Sequence, residues 1–132
     1  MEIDIRRLTV QKDERGFLFE IIRKGDLGDK GFGQILLTAA KEGVEKGGHY
    51  HLRKNEWFCV IKGEGVLNLQ DINTKEVKEI SIEENTPVIV HIPPRIAHAI
   101  KNVGRGDLYL LVCTDEEFDP KDADTFPIVI TQ

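Results

Sequence analysis

The sequence lacks the features that mark several large classes of protein. It has only two cysteines, and none of its apolar runs approaches the roughly 20 residues that a helix needs to cross a bilayer. It also has no long stretch with the apolar spacing of an amphipathic helix. The N-terminal segment MEIDIRRLTV lacks the apolar run of a secretory signal. We therefore expect a cytoplasmic protein with no membrane span and no framework of disulfides.

The net charge and the length limit the kinds of partner and the number of domains that the chain can have. The net charge of −5 argues against nucleic acid as a partner, although local arginines can still bind a phosphate-bearing small molecule. A chain of 132 residues can bury a core, and we expect one domain over residues 1–132. Cys59 and Cys113 lie in apolar runs and are expected to be buried, reduced thiols, with metal or redox chemistry as the alternative.

Short apolar runs separated by turn residues indicate an all-β fold. The runs have the length of strands, and Gly, Pro, Asn and Asp separate them. So many strands in one domain predict an antiparallel β-sandwich or jelly roll. The candidate strands are Ile3–Leu8, Phe17–Ile22, Gly33–Ala39, His49–Leu52, Trp57–Lys62, Gly65–Gln70, Val77–Ile82, Val88–Ile92, Ala97–Asn102, Leu108–Thr114 and Ile128–Ile130.

The stretch GVEKGGHYHLRKNEWFCVIKG, residues 43–63, carries the strongest signal of chemistry. Side chains alternate along a strand, so His49 and His51 point the same way and can bind one ion or one substrate. The two glycines before them permit a close approach of other atoms. Glu56 lies in the next apolar run, which can bring its carboxylate to the same point. Two imidazoles and a carboxylate form a facial set of ligands.

A fourth candidate ligand, His98, follows Pro93 and Pro94 in the segment IPPRIAHAIKN. Neutral imidazole and carboxylate suit first-row metals, and protein ligands that leave positions open favour a catalytic site over a structural one. The sequence therefore predicts a divalent metal ion, with zinc, iron, manganese and nickel as candidates. Its ligands would be His49, His51, Glu56 and His98.

The spacing of these residues resembles the two sequence motifs of the cupins. The first motif is matched at every position, by Gly43, His49, His51, Glu56 and Gly63. The second motif departs from the pattern where Pro87 and Arg95 replace glycines. Its matched positions are Pro93, His98 and Asn102. The resemblance implies a single-domain cupin jelly roll, also called a double-stranded β-helix.

A second stretch, DERGFLFE at residues 13–20, resembles a signature of the dTDP-4-dehydrorhamnose 3,5-epimerase family, which is itself built on a cupin jelly roll. On residue types alone, the two phenylalanines would face inward and the charged residues would be solvated. The resemblance instead implies part of a nucleotide-sugar site, often formed across a dimer interface. In that site Arg15 would bind the diphosphate. Phe17 or Phe19 would line the sugar or base, and Glu20 would belong to the same site.

The resemblance to that family continues in GGHYH, where His49 takes the position of the catalytic base. The tail LYLLVCTDEEFDPKDADTFP is similar to related sugar-nucleotide cupins, including the C-terminal domain of bifunctional capsular-polysaccharide enzymes. The family's catalytic acid is a tyrosine, but Leu111 stands at its position here. Tyr109 lies two residues earlier on the same strand face and becomes the candidate acid. The metal and base interpretations compete for His49, because a ligand of the metal cannot also be the base.

Two basic residues beside the histidines are further candidates for substrate binding. Arg53 and Lys54 can meet a phosphate or can belong to a solvated turn, and both alternatives stay open. His91, in the apolar run VIVHI, is expected to be a core or interface residue.

Several strands are apolar on both faces, which predicts a homodimer. If Glu56 faces the site, Phe58 and Val60 do too, and Trp57 and Cys59 take the other face. Antiparallel sheets usually expose one face to water, so a second apolar face needs a cover. The alternative is that terminal segments of the same chain cover it.

The favoured function is that of an isomerase of the nucleotide-sugar epimerase type, acting in cell-surface polysaccharide biosynthesis. It would abstract a proton α to the keto group of a nucleotide-linked 4-keto-6-deoxy sugar, with a histidine as base and a donor or metal stabilising the enolate. Another metal-dependent cupin enzyme, such as a dioxygenase or phosphosugar isomerase, is one alternative. A small-molecule-binding cupin without catalysis is another.

Overall fold

A computed structural model describes residues 1–130 of the protein. Nearly all of the regular structure in these residues is antiparallel β-sheet, and a 3₁₀ turn at Lys24–Asp26 is the only helical segment among them. Within the same residues, no helix is long and apolar enough to span a membrane. The strands are β1 (Ile5–Arg7), β2 (Gln11–Asp13), β3 (Gly16–Leu18), β4 (Gln34–Ala40), β5 (Glu45–Tyr50), β6 (Glu56–Lys62), β7 (Glu64–Asp71), β8 (Val77–Glu83), β9 (Val88–Ile92), β10 (Ile96–Asn102), β11 (Leu108–Thr114) and β12 (Phe126–Pro127).

The strands form two five-stranded sheets and one separate hairpin. The first sheet has the order β1-β9-β6-β11-β4, and the second has the order β12-β5-β10-β7-β8. Strands β2 and β3 pair with each other in a two-stranded sheet of their own, and every residue in both is exposed. The large sheets pack face to face around one apolar core, which is the sandwich that the sequence predicts.

The core lies between the inner faces of the two large sheets. Phe58 and Val60 of β6 point into it and meet Leu67 and Leu69 of β7, which are fully buried. Because side chains alternate along a strand, Trp57 and its alternate neighbours on β6 take the outer face. The assignment of faces that the sequence predicts for β6 is confirmed.

The chain's own N-terminal segment covers only part of the outer face of the first sheet, around β6, and leaves Ile35 and Leu37 of β4 52% and 60% exposed. Phe19, Ile21 and Leu27 pack against the cluster that contains Trp57 and Cys59. The alternative of intrachain cover therefore holds around β6, whereas the apolar outer face of β4 stays exposed in the described chain. The homodimer itself stays a prediction.

Both cysteines lie in this outer-face cluster, where they are free and buried. Burial raises the pKa of the Cys59 thiol to about 11 and also raises the pKa of the Cys113 thiol. Both are therefore protonated at neutral pH, as expected of thiols without redox or metal chemistry.

Three predicted strands differ from those in the structure by more than a residue or two at their ends. The predicted strand His49–Leu52 ends at Tyr50 and begins earlier, at Glu45. The predicted strand Ile128–Ile130 was wrong, because the pairing with β5 is made by Phe126 and Pro127 just before it. The predicted strand Phe17–Ile22 ends at Leu18, since the residues after it leave the hairpin to pack on the outer face. The polar strand β2 was missed because Gln11–Asp13 has no apolar alternation.

Two glycines create an irregularity in β5 beside the candidate site. Opposite β10, His49 pairs with His98 and Gly47 pairs with Ala99, so Gly48 is an extra residue. Gly47 and Gly48 have φ angles of 98° and 79°, which side chains disfavour. A Cβ on Gly47 would lie 2.9 Å from the carbonyl oxygen of His98. Glycine here permits the close approach of the two histidine-bearing strands.

Replacement of Gly47 by Ala should lower the free energy of unfolding by about 1–3 kcal/mol, because it adds left-handed strain and a clash with backbone. Gly43→Ala is the matched control, since Gly43 has a φ of 78° but no atom within 4 Å of an added Cβ. Chemical denaturation should therefore show a larger loss for Gly47→Ala. Equal losses would contradict the close packing of β5 on β10.

Candidate metal centre and cavity

Three histidines and a glutamate meet on the inner side of the sandwich. His49 and His98 come from the paired strands β5 and β10, Glu56 begins β6, and His51 follows β5. Their ligand atoms all lie within 4.8 Å of one another. His51, Glu56 and His98 are buried, and His49 is half-buried. The structure thus brings together the four residues that the sequence groups as a ligand set.

Hydrogen bonds determine which ring nitrogen faces the centre of this cluster. Nδ1 of His51 lies 2.6 Å from the carbonyl oxygen of Asp124, and Nδ1 of His98 lies 3.1 Å from that of Ile96. A carbonyl can only accept, so each Nδ1 carries hydrogen and donates it. In the neutral ring, each Nε2 then presents a lone pair. These two Nε2 atoms lie 2.8 Å and 2.9 Å from the same oxygen of Glu56, Oε1.

This arrangement fits a divalent metal ion. Three acceptor atoms that converge on one point repel each other unless a cation or a proton lies between them. Nε2 of His98 is buried and has no hydrogen bond within residues 1–130. Metal-bound histidines commonly donate their other nitrogen to a backbone carbonyl, as His51 and His98 do. The donor set itself suits zinc and other first-row metals.

The charges in the cluster agree with this interpretation. Burial alone would raise the pKa of Glu56, but the imidazoles of His51 and His98, which lie against its carboxylate, hold it well below its usual range. Burial and the neighbouring imidazoles lower the pKa of His49 to about 4. Burial also opposes charge on His51, yet the hydrogen bond to Glu56 raises the pKa of His51 overall. At neutral pH Glu56 is therefore ionised and His49 is neutral, as metal binding requires.

A cavity of about 210 Å³ opens beside the cluster. His49, Glu56 and His98 line one part of it, and its walls are largely apolar. The apolar wall residues are Leu36, Phe58, Ala99, Ile100, Leu110 and Val112. A ligand in this cavity would contact the candidate metal ligands His49, Glu56 and His98, with little water around it.

Two polar residues of the cavity, Lys46 and Thr38, were missed by the sequence reasoning. Nζ of Lys46 donates to Oγ1 of Thr38 and, at 3.2 Å, to the carbonyl oxygen of Ala39. Lys46 precedes His49 by an odd number of residues, so regular alternation would place the two on opposite faces. The extra residue Gly48 restores the shared face. The Gly47-Gly48 pair was therefore the feature of the sequence that could have indicated that Lys46 and His49 share a face.

Tyr109, the predicted catalytic acid, does not reach the cavity. On β11, Leu110 and Val112 line the cavity, so alternation turns Tyr109 to the outer face. Its ring there lies 5.3 Å from Nζ of Lys62. Tyr109 and Leu111 share a face that points away from the histidines, so the described chain does not bring Tyr109 to the predicted site.

The predicted substrate residues of DERGFLFE also lie away from the cavity in the described chain. Arg15, at the β2–β3 turn, is bound by the carboxylate of Asp13, and its side chain is 83% exposed. Phe17 stacks on Phe19 with ring centroids 6.0 Å apart. Glu20 pairs with Arg23. None of these residues lines the cavity in the described chain, and their role in substrate binding stays a prediction.

Arg53 and Lys54 bind the C-terminal part of the chain. Nη2 of Arg53 lies 2.7 Å from Oε1 of Glu116, and Nζ of Lys54 donates to the carbonyl oxygen of Ala123 at 3.2 Å. Neither residue lines the cavity within the described chain. Their visible role is to hold the loop after β5 in place, and contact with a phosphate stays a prediction.

The family of the chain follows from sequence comparison. A model of the polysaccharide biosynthesis C-terminal domain matches residues 11–126. The chain belongs to this family. The sequence resemblance to capsular-polysaccharide and sugar-nucleotide cupins is thereby confirmed.

Two proteins of similar sequence show how much of a longer or similar-sized chain this sequence matches. The chain is 34% identical over 119 residues to a UDP-2-acetamido-2,6-beta-L-arabino-hexul-4-ose reductase of Pseudomonas aeruginosa, covering 90% of this chain and 31% of that protein. It is 26% identical to the spore coat polysaccharide biosynthesis protein SpsL of Bacillus subtilis, covering 92% of this chain and 84% of SpsL. The chain therefore spans about a third of the first relative and most of the second.

Solved structures agree with the fold. The capsular polysaccharide assembling protein CapF of Staphylococcus aureus superposes with a TM-score of 0.71 at 33% identity, over 92% of this chain and 34% of CapF. A dTDP-6-deoxy-D-glucose-3,5-epimerase from Legionella pneumophila gives a TM-score of 0.84 at 19% identity, over 96% of this chain and 72% of the epimerase. The latter likeness shows the fold alone. The prediction of a cupin jelly roll is confirmed.

Metal content should depend on the buried histidines. Replacement of His51 or His98 by Ala removes an Nε2 ligand, so zinc retained after loading and desalting should fall from about one ion per chain to far less. His91→Ala is the matched control, because His91 stacks on Trp57 on the outer face. Elemental analysis measures the result. Equal zinc in the wild type and in His51→Ala would contradict a metal at this cluster.

Proposed function

We propose that this chain is a metal-dependent cupin enzyme of cell-surface polysaccharide biosynthesis. It exchanges or inverts the proton α to the keto group of a nucleotide-linked 4-keto-6-deoxy sugar. The observation that carries the proposal is the meeting of a metal-type ligand set and a cavity-lining histidine in one apolar cavity. The Pseudomonas relative, which this chain matches over only part of its length, is named for a UDP-linked hexul-4-ose, a sugar with its keto group at position 4.

The geometry supports a division of roles between the four residues. His51 and His98 each have Nδ1 held by a backbone carbonyl and Nε2 aimed at Glu56, so these three residues would hold the metal. The ring of His49 packs edge-on against His98 but makes no hydrogen bond to any of residues 1–130. His49 also lines the cavity. It is therefore the member of the set that is free to accept a proton from a substrate.

The remaining residues of the cavity support the same chemistry. A divalent ion, when bound, would polarise the keto oxygen and so favour loss of the α proton. Lys46 and Thr38 can donate hydrogen bonds to sugar oxygens, since both line the cavity. The apolar walls exclude water, which strengthens the electrostatic interactions among these groups.

The size of the cavity supports a substrate that enters only in part. Its volume of about 210 Å³ lies below the roughly 300–1,000 Å³ of pockets that enclose drug-sized ligands. The sugar ring would enter, and the nucleotide would lie outside. We propose that the exposed β2–β3 hairpin of a second copy binds the nucleotide through Arg15 and Phe17 in a homodimer. A guanidinium group suits a diphosphate because it presents several donors in a fork.

Deuterium incorporation tests the proposed role of His49. In heavy water, the wild type should incorporate deuterium into UDP- or dTDP-linked 4-keto sugars, as read by mass spectrometry. His49→Ala should slow this by ~10²- to 10⁴-fold, the usual contribution of a positioned base, while it keeps its metal. Tyr109→Phe should exchange at the wild-type rate, because Tyr109 faces away from the cavity.

Two results would contradict this assignment. Loss of metal from His49→Ala would make His49 a ligand rather than the base. A wild type that binds the sugars but incorporates no deuterium above the His49→Ala background would leave a binding module instead of an enzyme.

Mixed dimers test whether the hairpin acts on a second copy. Arg15→Ala should weaken substrate binding, and His49→Ala should abolish exchange. If the hairpin of one copy acts on the cavity of the other, each mixed dimer has one of its two sites with both a native Arg15 and a native His49. Mixed dimers make up about half of an equal mixture, so about a quarter of all sites are native. Dissociation and reassociation of the mixture should then restore exchange.

The control for this experiment is the double variant Arg15→Ala/His49→Ala mixed with His49→Ala. This mixture lacks the base at every site and should stay inactive. Failure of the first mixture to regain activity would show that Arg15 does not serve the cavity of a second copy.

A further inference from the structure

The C-terminal segment of the described chain forms a strap, residues 115–127, that crosses the loop after β5. Its last residues, Phe126 and Pro127, pair with Tyr50 and His49 as strand β12. Lys54 donates to the strap at the carbonyl oxygen of Ala123. The strap therefore lies directly against the loop that carries His51, one of the candidate metal ligands.

Asp124 of the strap accepts three hydrogen bonds from the backbone of this loop. Oδ1 of Asp124 accepts the backbone N–H of Leu52 at 2.9 Å, and Oδ2 accepts those of Arg53 at 3.0 Å and Lys54 at 3.2 Å. Consecutive backbone N–H groups aimed at one anion form a nest. Asp124 is only 5% exposed, so its carboxylate depends on these three donors in place of water.

The backbone of Asp124 contacts the metal-type cluster directly. Its φ angle is 51°, in the left-handed region that aspartate tolerates better than most residues. In this conformation its carbonyl oxygen accepts from Nδ1 of His51 at 2.6 Å while its carboxylate is held in the nest. The loop thus holds Asp124 by the side chain, and Asp124 holds His51 by the main chain.

We propose that Asp124 is a positioning residue for the metal site. Its carboxylate anchors the strap, and its carbonyl oxygen orients the ring of His51 and keeps hydrogen on Nδ1, so that Nε2 is the ligand atom. This inference rests on the proposed metal site. The contact of Lys54 with Ala123 holds the segment in place without touching a ligand.

The test compares two substitutions of the same kind. Asp124→Asn keeps the shape of the side chain and suits a positive φ, but its amide nitrogen cannot accept from the nest. Asp71→Asn is the matched control, because the carboxylate of Asp71 accepts two backbone N–H groups in the β7–β8 turn, from Asn73 at 2.8 Å and Thr74 at 3.2 Å. Asp124→Asn should lower the stability of the metal-free protein, because both carboxylate oxygens accept in the nest and an amide has only one oxygen. Asp71→Asn should lower it less, because both of its donors bind the one oxygen Oδ1, which an amide oxygen can replace.

The expected difference lies in zinc affinity, measured by titration of zinc against a competing chelator. Asp124→Asn should weaken zinc binding by about 10- to 100-fold, as loss of a partner of a ligating histidine does, and Asp71→Asn should leave it unchanged. A destabilised Asp124→Asn with wild-type zinc affinity would overturn the inference, since a purely structural role predicts that result.

Nitrogen NMR of His51 in the zinc-loaded wild type provides a readout that needs no variant. The inference requires hydrogen on Nδ1 and zinc on Nε2, and zinc on Nδ1 would overturn it. Equal zinc binding by the wild type and His51→Ala would instead overturn the metal site on which the inference rests. The two failures are therefore distinguishable.

Discussion

The convergence of two imidazole nitrogens on one carboxylate oxygen is the constraint on which this site depends. Nε2 of His51 and Nε2 of His98 both face Oε1 of Glu56, and the opposite nitrogen of each ring is committed to a backbone carbonyl. Buried acceptors that face each other are costly unless a cation or proton joins them. The cluster therefore has a strong preference for positive charge at its centre, which either a metal or a protonated His51 satisfies.

The sandwich places this convergence between its two sheets. Glu56 belongs to the first sheet, whereas His49 and His98 belong to the second. Neither sheet carries the whole set, so the site exists only when the two inner faces have packed together. A metal bound to residues of both sheets would stabilise that packing, because binding to the folded state alone adds to the stability of the fold.

In the proposed function, the cavity and the hairpin would divide the recognition of a nucleotide sugar into two parts. The cavity is apolar, small and close to the metal-type residues, which suits the reacting sugar ring. The β2–β3 hairpin is exposed and separate from both large sheets, and it lies outside the segment 19–27 that covers part of the outer face. In that proposal, a second copy of the chain would supply the contacts between the two parts.

Local patterns in the sequence were sufficient for most strands of the sandwich, for the inner face of β6 and for the grouping of His49, His51, Glu56 and His98. These depend on alternation and on motif spacing, which are properties of neighbouring residues. Tertiary structure alone decided that Tyr109 faces outward, because alternation gives two faces but does not say which one meets the core. It also decided the contact of Asp124 with His51, since 73 residues separate them and no local pattern relates their hydrogen bonds.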